Sequence, residues 1–293
     1  MFVTNKIFSK AVGGAIAGGV MAVSLMAGTS AQAADWSNTD IQYLYGRGYQ
    51  DYDDHGNKID DQAKGVVSIE HADGWSYGDN YFFFDVSNPF GGNNGTDGLG
   101  NDGKGTVTYG EWSPRLSIGK TFFGKELGFG GIVKDTFLAA NFEYSSGDVW
   151  ARGHSILVGP GFSLDLPGFA FADINFYLRK SYRDVMAKDT GLGGQVTIDW
   201  LYPFSIGSTS WSFGGFADYA FGEKGGYDKL YHGNGSKANS LITQPQLLLD
   251  VGALMGAKPG VLKAGIEYDV WINKYGLDGA NESNPNVMVM WTF

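Results

Sequence analysis

The chain has 293 residues and a formal net charge of −10, with 15% aromatic residues, 46 glycines, 8 prolines and no cysteine. Its acidity argues against a nucleic acid as partner, and the lack of cysteine excludes disulfides and thiolate metal sites. A mean hydropathy of −0.16 with this glycine and aromatic content suits many strands joined by polar turns.

In chain order, residues 1–33 come first. Lys6 and Lys10 precede the small-residue apolar run AVGGAIAGGVMAVSLMAG, and the stretch closes on TSAQA, whose A-x-A pattern suits signal peptidase. This predicts a signal peptide cleaved after Ala33 and a secreted domain of residues 34–293. Losing Lys6 and Lys10 takes the charge from −10 to about −12. The remainder has no apolar run of the roughly 20 residues that a membrane helix requires, so a membrane location has to be reached through strands.

Period-2 alternation then predicts about twelve strands, at residues 36–49, 63–74, 79–87, 107–119, 134–145, 152–164, 170–183, 193–202, 209–221, 241–252, 261–273 and 286–293. The connections alternate in character. QDYDDHGNKIDDQ, SNPFGGNNGTDGLGNDGKG, RDVMAKDTGLG, GEKGGYDKLYHGNGSKANS and KYGLDGANESNP are long and polar, and SSGDVWA falls on the same side. DLPGF, YPFSIGS and ALMGAKPG are short. Short turns at one end and longer loops at the other are the asymmetry of an outer-membrane barrel. KTFFGKELGFGGIV at residues 120–133 is too long for a periplasmic turn and predicts either a small hairpin extension or a slip of register.

Within the strands one face is apolar and the other polar. Ile174, Phe176 and Leu178 oppose Asp173, Asn175, Tyr177 and Arg179. Val196, Ile198 and Trp200 oppose Gln195, Thr197 and Asp199. The last strand, NPNVMVMWTF, sets Val287, Val289, Trp291 and Phe293 on one side. So apolar a strand needs an apolar partner outside it, and Trp36, Trp112, Trp200, Trp211, Trp271 and Trp291 near strand ends suit interfacial girdles. The expected fold is all-β, a twelve-stranded antiparallel transmembrane barrel in a Gram-negative outer membrane.

The stretches EWSPRLSIGK, VKDTFLAANFEYSSGD and GPGFSLDLPGFAFADINFYLRKSY, in this order, with DWSNTDIQYLYGRGY near the start and WTF at the end, resemble the Tsx and OmpK family of nucleoside-specific outer-membrane channels. The resemblance implies a twelve-stranded monomeric barrel whose narrow lumen passes nucleosides. It also implies outer loops able to serve as a bacteriophage receptor, the alternative reading of function.

A lumen that selects a neutral, flat, polar solute needs aromatic faces and polar edges. The predicted inward face offers Tyr81, Phe83, Asp85, Arg115, Asn141, Glu143, Asn175, Tyr177, Arg179, Phe216, Asp218, Asp269 and Trp271. The inward acids Glu70, Asp85, Glu143, Asp173, Asp199, Asp218, Asp250, Glu267 and Asp269 outnumber Lys64, Arg115, Arg179 and Lys263, so anions are expected to pass poorly. No catalytic residue, cofactor or metal site is expected. His154 and Ser155 are strand neighbours and point to opposite faces, while His55 and His232 fall in predicted loops and His71 near a strand end.

Overall fold

Alternating β-branched and aromatic residues with glycine, asparagine and proline between them leave the backbone one favourable solution, a meander of antiparallel hairpins. In the computed structural model, which describes residues 34–52, 58–89, 106–146, 152–183, 190–224 and 237–293, the strands are β1 (Trp36–Tyr52), β2 (Lys58–Trp75), β3 (Gly78–Ser87), β4 (Val107–Ser117), β5 (Val133–Ser145), β6 (Gly153–Leu164) and β7 (Phe171–Arg183). They continue as β8 (Gly193–Ile206), β9 (Thr209–Phe221), β10 (Ser240–Thr243), β11 (Gln246–Asp250), β12 (Leu262–Ile272) and β13 (Glu282–Thr292). Asp35–Phe293 form one compact unit. Residues 1–33, with the predicted cleavage site, lie outside the described residues, as do most of the long loops and His55 and His232.

Apart from β10 and β11, each strand pairs with its neighbours in sequence, and β1 pairs with β13 from Asp40 opposite Thr292 to Gly46 opposite Asn286. The sheet thereby closes and has no free edge. Strands β10 and β11 both lie between β9 and β12, so they are two halves of one stave and the barrel has twelve. Their join is Gln244-Pro245. Proline has no N–H for the ladder and sits in sheets at irregularities, while its carbonyl still accepts from Tyr268 N at 2.9 Å. Across the gap Gly215 has φ +141, and a Cβ there would lie 2.5 Å from the Gln244 oxygen, so the break requires glycine at this position.

The two faces separate as the alternation requires. Along β5, Asp135, Phe137, Ala139, Asn141, Glu143 and Ser145 are buried, whereas Leu138, Phe142 and Tyr144 are exposed outside. In β13, Met288 is 1% exposed and Val287 is 63% exposed. A water-soluble sheet would not leave the larger part of its apolar side chains outside in this way, and a lipid-facing barrel must. Of the tryptophans, Trp112 and Trp291 are exposed on the outer face. Trp271 points inward, where its Nε1 donates to Ser240 Oγ at 3.0 Å, so it belongs to the lumen and not to a girdle.

Several boundaries differ from those expected. The predicted turn YPFSIGS is mostly strand, because β8 runs through Pro203 to Ile206 and pairs Phe204 with Trp211. Strands β1 and β2 extend far into the predicted first loop and pair as far as Tyr52 opposite Lys58. The 120–133 connection is a small folded extension, followed by a register shift between Val133 and Asp135 in the pairing of β5 with β6. It is a short helix (Ile118–Phe123) and a return leg closed by a bridge between Phe129 and Val133. No helix among the described residues is long and apolar enough to cross a membrane.

Candidate functional site

Residues directly opposite on paired strands share a face, so the register fixes the inner wall. Tyr81 lies opposite Ala72 and Ser113, Phe83 opposite Glu70 and Glu111, and Asp85 opposite Ser68 and Tyr109. Arg115 faces Asp79 and Ala139, Asn141 faces Leu157, and Glu143 faces Glu111 and Ser155. Further round, Asn175 meets Thr197, Tyr177 meets Gln195, Asp218 meets Thr197 and Phe216 meets Asp199. Asp269 lies opposite Asn284 and Trp271 opposite Glu282. Every residue expected at the lumen is on this one inner surface.

The groups there do not behave alike. Arg115 makes a bidentate pair with Asp79 at 2.7 and 2.8 Å and reaches Asp173 at 3.1 Å, with its guanidinium 4.5 Å from the Phe137 ring centre. Arg179 donates to both Glu143 oxygens at 2.5 Å, to Gln195 at 2.6 Å and to Ser155 at 3.0 Å. Both arginines are thus paired with acids on the wall. Planar guanidinium forks suit this use.

A second group of acids has only neutral donors. Glu111 accepts from the Tyr109 hydroxyl and from Asn141 Nδ2 at 2.6 Å, and Asn141 Oδ1 in turn accepts from Ser113 at 3.1 Å. Asp218 accepts from Thr197 at 2.5 Å, and Glu267 from Gln246 at 2.9 Å. Asp40 accepts from Gln42 at 2.8 Å. Hydroxyl and amide donors hold these carboxyl groups in place. Asp250, expected among the lumen acids, serves the chain instead, accepting from Ala253 N at 2.9 Å and Gly260 N at 2.6 Å to fold the β11–β12 turn.

Aromatic faces lie beside the acids. Tyr81 and Phe83 have ring centres 6.0 Å apart, and Phe83 and Tyr109 5.7 Å apart, a run along β3 and β4 flanked by Glu70, Asp85 and Glu111. Tyr81 remains 36% exposed. Tyr177 differs, being 6% exposed and packed with Ala139 and Leu157, and its ring is committed to the wall. A further inward cluster of Leu44, Leu248 and Met288, with Val66 and Met290 against it, fills another part of the interior.

Near the outer mouth the wall is tied to the loop bases. Glu223 accepts from Thr190 at 2.7 Å, pairs with Lys237 and lies 3.6 Å from Arg179 Nε. Lys274 donates to Glu282 at 2.8 Å and to the Gln50 carbonyl at 3.0 Å, beside the Trp271 and Tyr275 rings. Of these residues, Glu111, Tyr109 and Asp79 share strand parity with Arg115 and Tyr81 and were open to detection by alternation. Tyr49 was not: a bulge between Gly46 and Tyr49 shifts the register and turns its hydroxyl to Asn286 at 2.8 Å.

A family model described as nucleoside-specific channel-forming protein, Tsx, matches residues 38–248. No curated protein sequence matches the chain. Among solved structures, an outer membrane channel from Pseudomonas putida F1 shares 8% identity, with 90% of this chain and 99% of that one covered, at a TM-score of 0.44. The translocator domain of the autotransporter NalP from Neisseria meningitidis shares 10%, with 94% and 95% covered, at 0.40.

Proposed function

We propose, since the chain belongs to the family of nucleoside-specific channel-forming proteins, Tsx, that this barrel selects nucleosides by transient stacking of the base on Tyr81 and Phe83. It is an outer-membrane channel that passes small solutes. The observation that supports stacking is the run Tyr81–Phe83–Tyr109 on the inner wall with Glu70, Asp85 and Glu111 around it. A base presents a flat face to the rings and donors along its edge, and the ribose adds hydroxyls. Carboxylates are acceptors only, so the wall receives those donors and rejects a phosphate.

The energetics suit passage as well as recognition. Stacking a base on an aromatic side chain is worth about 1–3 kcal/mol, enough to enrich a nucleoside over a sugar and weak enough for release. Conduction favours several such sites over one deep well. The arginines do not capture anions in this scheme, since Asp79, Asp173 and Glu143 already occupy them.

The test is a current-block titration. Single channels in planar bilayers should show a saturable fall in ion current as adenosine is added, and the Tyr81→Ala/Phe83→Ala double variant should need roughly tenfold more adenosine for half-block. An unchanged half-block concentration in the double variant would remove the stacking proposal.

A further inference from the structure

The connection between β4 and β5 sits at the short-turn, periplasmic end of the barrel, and it is folded rather than slack. Ser117 Oγ caps the helix Ile118–Phe123 by accepting from Lys120 N at 3.0 Å, and Gly124 at φ 68 ends it. A Cβ on Gly119 would come 2.3 Å from Leu127 N, so glycine lets the helix and the return leg touch. Asp135 accepts from Leu127 N at 2.9 Å and from Ser117 Oγ at 2.8 Å. Thr136 Oγ1 donates to the Leu127 carbonyl at 2.8 Å. Phe129 and Val133 exchange backbone bonds of 3.1 and 3.2 Å.

This well-tied scaffold shows large apolar side chains outward. Phe122 is 69% exposed, Phe123 64%, Phe129 58% and Ile132 54%. Connections in water are built from small and polar residues, and contiguous exposed apolar groups mark a surface that is covered in use. What covers it follows from the neighbour it joins. The Phe129 ring meets Phe162 edge-on at 5.7 Å, Phe162 meets Phe176 at 6.1 Å, and Phe176 is exposed on the outer, lipid-facing side of β7. The apolar surface of the connection is therefore continuous with the surface that lipid already covers. Lys125 and Lys134 are exposed beside it, where cations meet headgroup phosphates.

We propose that residues 118–132 form a membrane elbow lying in the periplasmic phospholipid leaflet. Phe122, Phe123, Phe129 and Ile132 enter its acyl boundary, and Lys125 and Lys134 stay among the headgroups. The depth involved is that of interfacial elements in general, about 5–10 Å. The elbow fixes the vertical position of the barrel on the β4–β5 side and adds a leaflet contact outside the barrel wall.

The absence of cysteine makes the test direct. Phe123→Cys and Phe129→Cys, each carrying one environment-sensitive fluorophore, are refolded as full-length barrels into phosphatidylethanolamine and phosphatidylglycerol vesicles. Leu138→Cys on the lipid-facing wall and Lys125→Cys serve as references. The expected result is quenching of both Phe positions by doxyl groups carried on the lipid and protection from iodide present on both sides, matching Leu138→Cys and opposite to Lys125→Cys. Iodide quenching equal to that of Lys125→Cys would overturn the proposal. So would protection from both quenchers, which would mean that a periplasmic protein or a second copy covers the surface.

Discussion

Arg179 shows how much of the inner wall can hang on one side chain. Its guanidinium holds Glu143, Gln195 and Ser155 together across β5, β6, β7 and β8, at 8% side-chain exposure. Removing one partner of a buried ion pair strands the other charge, at about 3–5 kcal/mol. Arg179→Met is therefore expected to lower the unfolding free energy in urea by about that amount, and adding Glu143→Met should restore most of it. If the double variant is as unstable as the single one, the stranded charge is not the cause. Glu223, beyond the end of β9, gives a residue-scale prediction with a sign. Burial pushes its carboxyl up, but Lys237 and Arg179 outweigh burial and hold it down to about 2. A depressed carboxylate stabilises the fold fully above its ordinary 4.5 and loses that contribution as pH falls towards 2. Urea titrations at stepped pH should show the wild type losing stability across this window more steeply than Glu223→Gln, and parallel curves would count against a stabilising Glu223 carboxylate.

At the scale of elements, the stave formed by β10 and β11 is the weak point of the meander. Its break at Gln244-Pro245 depends on Gly215 at φ +141, and an alanine there would meet the Gln244 oxygen and the Pro245 Cα. Strain of this kind costs about 1–3 kcal/mol, so Gly215→Ala should destabilise the barrel by that order, read by urea unfolding in micelles. Alanine at Gly207, where φ 59 resists a side chain but nothing lies near a Cβ, should cost less. The alternation made nearly every strand legible, because a stave with lipid outside and polar groups inside has to repeat every two residues. Legibility failed where the backbone departs from that period. Pro203 and Pro285 read as strand boundaries but lie within β8 and β13. The break in the tenth stave and the bulge that turns Tyr49 inward come from pairing with distant strands, which no local pattern records. The inner wall was legible by the same parity. The division of its groups was not: alternation finds Tyr177 and Tyr81 equally, and only the register across β5, β6 and β7 shows that Tyr177 is packed while Tyr81 stays open.

For the whole molecule the deciding quantity is the balance of charge inside a closed wall. Arg115 and Arg179 are bound to wall acids, whereas Glu111, Asp218 and Glu267 are held by neutral donors, and an excess of acids over bases inside the barrel is expected to favour cations. In a low-dielectric wall that field acts on every passing ion. Under a salt gradient the reversal potential should show cations preferred over chloride, and an anion preference would contradict the charge assignment. Selection of nucleosides over other solutes of similar size is read from flux into liposomes carrying the refolded barrel. Thymidine is compared with a sugar of similar size and with thymidine monophosphate. Saturable thymidine entry well above both comparators is the expected result; equal entry of thymidine and the sugar, or faster entry of the nucleotide, would contradict nucleoside selection.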